Sequence, residues 1–271
     1  MPVSDMLGNR MKEYERRNQY WLQRRTPVTI RVDMKAGHSF TKGFQRPFDE
    51  VFVKSMQETA KFMCENIQGA VLSFQQSDEI TVILQDYKTL TTDAWFDYRT
   101  DKLCSIAASM ATMAFNRSFR YNAEIEMVFT KDEKYKETLL NAIVKGAMFD
   151  ARCFNIPKEE VANLIYWRQL DATRNSIQMV GQANFSHKEL QNKSCNDIQD
   201  MLITQKNINW NDFPTHQKRG SCCIKNHDYD EYGNDWGEGW RIDTEIPIFK
   251  GEGREYVNRC ILYEEKPEIT N

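Results

Sequence analysis

The chain has 271 residues, 41% of them hydrophobic and 28% charged, with a formal net charge of −3 at pH 7. That is enough for one large or two modest domains with a proper core, in a globular balance of residue types. No apolar run approaches the ~20 residues of a membrane span, and no signal-peptide-like stretch opens the chain. The near-neutral charge gives no overall pull toward nucleic acid. The seven cysteines form no CxxC pair, which points to reduced thiols in a cytoplasmic setting rather than a zinc ribbon or disulfide frame.

Residues 4–22 carry Met6, Leu7, Met11, Tyr14 and Trp21 at helical spacing behind Ser4 or Asp5, and are expected to form a helix. Basic residues gather here, among them Arg10, Lys12, Arg16 and Arg17, whereas acids dominate from Asp228 to Glu268. Residues 27–33 alternate Val28, Ile30 and Val32 with Thr29 and Arg31, the period of a strand, and end on Asp33. A loop with Gly37, His38 and Phe40 follows. Pro47 suits a helix entrance, and the helix is expected to run to about Ile67, with Gly69 closing it. Residues 70–75 and 79–85 are close enough for a hairpin with an acidic turn at 76–78. A helix is expected from about Arg99 to Phe119, and residues 125–129 and 147–150 are candidate strands. Pro157 opens another helix, 194–205 reads as a short one, and 242–249 as a late strand. A boundary is set near 150, giving units 1–150 and 151–271.

The first part therefore reads β-α-β-β-α-β, an α+β ferredoxin-like order followed by helical and small β additions. An Asp at a strand end commonly just caps a turn. The second acidic site, Gln76-Ser77-Asp78-Glu79, changes its meaning, because this order brings the end of the first strand beside the hairpin turn. Asp33 and Asp78 would then share one site. Two close carboxylates repel unless a cation lies between them, and hard oxygen ligands with open positions for phosphate suit Mg²⁺.

On these residues the chain resembles the tRNA-His guanylyltransferase superfamily, the 3′-to-5′ nucleotide polymerases, and within it the bacterial and phage branch. The motifs are Arg31-Val32-Asp33 with His38 and Phe40, Pro47-Phe48-Asp49, Gln76-Ser77-Asp78-Glu79, Phe149-Asp150-Ala151-Arg152 and Trp167-Arg168-Gln169. The resemblance implies a polymerase-like palm with two Mg²⁺ ions. Asp33 and Asp78 would be ligands through their carboxylates, Met34 through its carbonyl, and Glu79 a ligand or an orienting group. The loop Asp33, Met34, Lys35, Ala36, Gly37 and His38, with Ser77, would hold a nucleoside triphosphate; Arg46, Arg99 and Lys102 would meet phosphates. ATP would activate the 5′ phosphate of a tRNA, and GTP or another nucleotide would then be added, in a homotetramer without a membrane role. Three departures stand out: Met34 where the family has Gly, Gly37 where it has an aromatic residue, and Thr173-Arg174-Asn175 where tRNA-His-specific members have His-Ile-Asn. The last favours template-directed 5′-end repair over dedicated G addition. The alternatives are that dedicated guanylyltransferase, a palm-fold nucleotide cyclase and a non-catalytic RNA-binding protein.

Overall fold

The computed structural model describes residues 3–229 and 235–261. Helix α1 (Val3–Arg16) leads to β1 (Val28–Met34), the short α2 (Gly37–Phe40) and α3 (Glu50–Asn66). The hairpin β2 (Ala70–Gln76) and β3 (Glu79–Leu84) follows, then α4 (Thr100–Phe129), α5 (Glu133–Lys145) and β4 (Phe149–Asn155). The remainder is α6 (Val161–Asn184), α7 (His187–Leu190), α8 (Cys195–Lys206), α9 (Thr215–Arg219), β5 (Ser221–Tyr229), β6 (Asp235–Asp243) and α10 (Arg254–Ile261). Among the described residues all the strands lie in one sheet, ordered β4-β1-β3-β2-β5-β6, with each neighbouring pair antiparallel. The first four strands have the expected β-α-β-β-α-β connectivity, with α5 added before β4. Residue 150 falls inside β4, and the sheet runs unbroken from there to β6.

Strand alternation decides what each face carries. Ile30, Val32 and Met34 of β1 join Ile80, Val82 and Leu84 of β3 beneath α3 and α4, in a core rich in phenylalanine. On the other face Leu72, Phe74 and Ile83 pack against Val161 and Ile165 of α6 and Val257 and Ile261 of α10. These helices cover the β2 side of that face. Arg31, Asp33, Asp150 and Arg152 lie on its β1–β4 side, with Asp150 and Arg152 exposed.

Several expectations change. The first helix stops at Arg16 rather than running to residue 22, and Trp21 instead makes an isolated bridge to Arg99. The helix begun at Thr100 runs 30 residues to Phe129 and absorbs the strand expected at 125–129. A five-residue run with four apolar residues, Ile125, Met127, Val128 and Phe129, cannot by itself separate a strand from one more turn of helix. After Pro157 a short 3-10 turn precedes α6. Pro47 lies outside α3, which Asp49 caps by accepting from the Phe52 N–H at 3.0 Å. The late strand ends at Asp243 instead of continuing to 249, where Pro247 has no N–H for a ladder. The acid-rich stretch 228–268 lies partly outside the described residues. Among the described residues no helix is long and apolar enough to cross a membrane.

Candidate active site

Asp33 stands in β1 directly between Glu79 of β3 and Asp150 of β4, so three carboxylates meet on one face. Asp78, in the two-residue turn between β2 and β3, reaches the same place. Its backbone carbonyl accepts from the Met34 N–H at 3.1 Å, and its Oδ2 fills the space where a Cβ on Gly37 would stand. Ser77 makes this turn in the left-handed region, at φ 48°. Burial raises the Asp33 carboxyl above the usual range, and the charges of Asp78 and Asp150 raise it further against Arg152 and Arg31. The two acids expected to converge are therefore electrostatic neighbours, and their mutual repulsion leaves a place for a cation.

The loop after β1 is held from both ends. Lys35 N–H donates to Met148 O at 2.8 Å, and Thr41 N–H to Gly37 O at 2.9 Å. Phe40 then buries its ring against Phe115 and Phe119, with centroids 5.6 and 5.3 Å away. Ala36 takes a left-handed conformation, φ 56°, and starts the turn α2. The N–H groups of Gly37 and His38, at the start of that turn, have no intrahelical acceptor. Lys35, Ala36 and His38 are exposed while Gly37 is buried. Both departures near Asp33 acquire a physical reason. Met34 is 2% exposed and places its side chain in the core under α3 and α4, on the face opposite Asp33. Gly37 leaves the room that the Asp78 carboxylate occupies. Gly37→Ala is expected to displace that carboxylate and lower turnover at least ~10²-fold, since a misplacement of about 1 Å can cost that much. Unchanged steady-state turnover of the variant would refute the assignment of Asp78.

Glu79 is engaged elsewhere. Arg168 of α6 donates to both its oxygens, Nε–Oε1 at 2.8 Å and Nη2–Oε2 at 3.1 Å. Arg31 Nε lies 3.7 Å from Oε2. Burial raises the Glu79 carboxyl, while Arg168 and Arg31 pull it down. Arg168 also donates to Asp171 at 2.9 Å and stacks over Trp167. With both oxygens on arginine, Glu79 has the contacts of an orienting group.

The other expected residues are spread out. Arg46 is exposed and lines a cleft of about 600 Å³ with Gln178, Gln182, His187, Asn192 and Lys193. Ser77 lines a smaller cavity of about 70 Å³ that also contains Asn175. The sequence did not connect these two residues. Arg99 is paired with Asp101 at 2.8 Å. Lys102 is exposed at the start of α4, two residues before Cys104, whose thiol meets Cys153 at 3.5 Å. Farther along α4, Thr112 accepts from Phe149 N–H at 3.1 Å. Asp33 pairs with Asp150, beside Phe149, so Lys102 and Arg99 lie toward the opposite end of the sheet. Asp150, Arg152 and Arg168 were missed as site residues, because only strand register and the docking of α6 bring them in. Among the described residues no three His, Cys, Asp or Glu side chains form a group able to hold a metal by themselves.

The family model for tRNA-His guanylyltransferase matches residues 8–157. A solved bacterial tRNA-His guanylyltransferase-like protein in complex with ATP is 41% identical, with a TM-score of 0.80 over 94% of this chain and 99% of its own. One in complex with GTP is 38% identical, with a TM-score of 0.76 over 95% of this chain and 100% of its own. The tRNA-His guanylyltransferase of Saccharomyces cerevisiae is 28% identical over 73% of this chain and 82% of its own length. With the matched region spanning more than half of its length, the chain belongs to the tRNA-His guanylyltransferase family of nucleotidyltransferases.

Proposed function

We propose that the protein restores missing nucleotides at the 5′ end of tRNA by template-directed 3′-to-5′ addition. The observation that carries this reading is the convergence of Asp33 and Asp78 at the mouth of the loop 35–40, in a chain similar to proteins solved with ATP and with GTP. In the first step the 5′-monophosphate of the RNA attacks the α-phosphorus of ATP, and pyrophosphate leaves. In the second, the 3′-hydroxyl of the incoming nucleotide attacks the activated 5′ phosphorus, and AMP leaves.

The donor set fits Mg²⁺: two carboxylates of raised mutual repulsion and the carbonyl of Met34 are hard oxygen ligands, leaving positions for phosphate oxygens. Two bound Mg²⁺ ions would neutralise charge on the transferring phosphoryl group and favour ionisation of the attacking oxygen. The protein's own part is positioning. Asp33 and Asp78 fix the reacting centre, the loop from Lys35 to His38 with Ser77 cradles the triphosphate, and Glu79, clamped by Arg168, steadies the turn. Arg46, in its cleft, is a phosphate contact for the second substrate, and Lys102, exposed at the start of α4, is a further phosphate contact. We assign the chemistry to residues 1–150 and support to 151–271. A polymerase-like palm, a homotetramer and a cytoplasmic setting complete the proposal, the last supported by seven free cysteines.

The basis for repair rather than dedicated G addition is Thr173-Arg174-Asn175. Base pairing with the opposing 3′ strand would supply the sequence information, and phosphate contacts only position the RNA. The test uses two tRNAs of different anticodon, each lacking its first nucleotide, with the opposing base varied. The added nucleotide is expected to follow the opposing base whatever the anticodon. Addition of G alone, confined to the His anticodon, would establish the dedicated guanylyltransferase instead.

A further inference from the structure

Two cysteines that the proposed chemistry does not use face each other between α4 and the sheet. Cys104 stands near the start of α4 and Cys153 in β4, 49 residues apart in sequence, and the Cys104 thiol donates to the Cys153 sulfur at 3.5 Å. The Cys153 thiol in turn donates to Thr100 O at 3.9 Å, which seats the pair against the first turn of the helix. Among the described residues β4 is an edge strand, held in the sheet by β1 alone, with Cys153 opposite Ile30. Both thiols are only partly buried. Cys64 and Cys223 are neighbours too, but at 2% and 1% exposure they are closed to a dissolved reagent. Cys104 and Cys153 combine contact with access.

We propose that Cys104 and Cys153 form a reversible oxidation site, which takes hydrogen peroxide as its oxidant and closes to a disulfide joining α4 to β4. In a reducing compartment the pair stands open, as it does here. Closing it moves the sulfurs about 1.5 Å nearer, to the roughly 2 Å of the bond. The two thiols have different parts. Burial, and the Cys104 thiol beside it, push Cys153 up to about 12, so it stays protonated at neutral pH and reacts second. Cys104, as its thiolate, attacks one oxygen of the peroxide; the O–O bond breaks, hydroxide leaves, and a sulfenic acid remains. The Cys153 sulfur then attacks the Cys104 sulfur. The S–O bond breaks, and the Cys153 proton departs with the hydroxide as water. Two electrons pass from the sulfurs to the peroxide, and a dithiol returns them. The second step is intramolecular, between atoms already in contact, which offsets the weak acidity of Cys153. Two consequences follow. The bond ties the edge strand to α4 and restricts the unfolded chain. It also consumes the sulfenic acid before peroxide carries it to the irreversible sulfinic acid.

The test treats the full chain with hydrogen peroxide at neutral pH, alkylates the remaining thiols in denaturant and maps the peptides by mass spectrometry. It compares the wild type with Cys104→Ser and Cys153→Ser, whose circular dichroism should match that of the wild type. The treated wild type should be lighter by about 2 Da per chain, for the two hydrogens lost, and should yield one linked peptide joining Cys104 to Cys153. Dithiothreitol should return both thiols. The linked protein should melt roughly 5 °C above the reduced one, and neither Ser variant should gain that rise. Cys153→Ser, with no thiol to intercept the sulfenic acid, should instead gain about 32 Da at Cys104. A treated wild type that keeps both thiols free, a link from either to another cysteine, or a linked form that melts no higher than the reduced one would overturn the proposal. So would over-oxidation of Cys104 to the same extent in the wild type as in Cys153→Ser.

Discussion

Replacing Asp33 or Asp78 by Asn should abolish nucleotide addition, with a loss of at least ~10³-fold, because the charge stabilisation these ligands organise is worth several kcal/mol. The same substitution should not unfold the protein. Asp33 is raised by burial and by the charges of Asp78 and Asp150. A carboxyl raised in the folded state contributes stability below its unfolded value and loses it as pH rises through the folded value. At neutral pH the ionised Asp33 therefore opposes folding, and Asp33→Asn should melt higher than the wild type in metal-free buffer. Mg²⁺ should raise the melting temperature of the wild type and leave that of Asp33→Asn nearly unchanged, since a ligand stabilises only the state that binds it. Scanning calorimetry with and without Mg²⁺ reads both effects. Equal Mg²⁺ shifts in the two proteins would remove Asp33 from the metal site.

The largest stability effect is expected at Arg168. Its side chain is 8% exposed and that of Glu79 12%, so the pair is almost out of water. Arg168→Met would leave Glu79 with only Arg31 at 3.7 Å. Removing one partner of a buried pair costs about 3 kcal/mol, or roughly 6–10 °C in a chain of this size. The pH dependence gives the cause away. Without Arg168 the Glu79 carboxyl rises further, so the defect should be smallest at acid pH, where Glu79 is protonated, and should grow as pH rises. Adding Glu79→Gln should recover part of the loss. Urea midpoints across pH measure this, and a pH-independent defect would mean that Arg168 acts through packing alone.

What the sequence made legible was whatever depends on near neighbours. Alternation in β1, the β2–β3 hairpin and the apolar face of α3 were readable because each follows from a local period. From these the meeting of Asp33 and Asp78 followed through strand order alone. What stayed hidden needs the third dimension. Arg168 and Glu79 are 89 residues apart, and no local pattern announces their pairing. Asp150 joins the site through register, and Asn175 lines the same cavity as Ser77 only because α6 docks over β2. The continuation of α4 through 125–129 was obscured by β-branched Ile125 and Val128, whose local preference is for strand over helix. Gly37 illustrates the opposite case. An unexplained departure in sequence became a requirement once Asp78 occupied the space a side chain would need.

The most direct measurement incubates the protein with Mg²⁺, ATP, GTP and a 5′-monophosphorylated tRNA lacking a first nucleotide that stands opposite C, and follows RNA length and AMP release together. The account predicts that the 5′ end grows by one G, that one AMP appears per nucleotide added, and that Asp33→Asn and Asp78→Asn do neither. An RNA that keeps its length, or one extended equally well by the two variants, would contradict it.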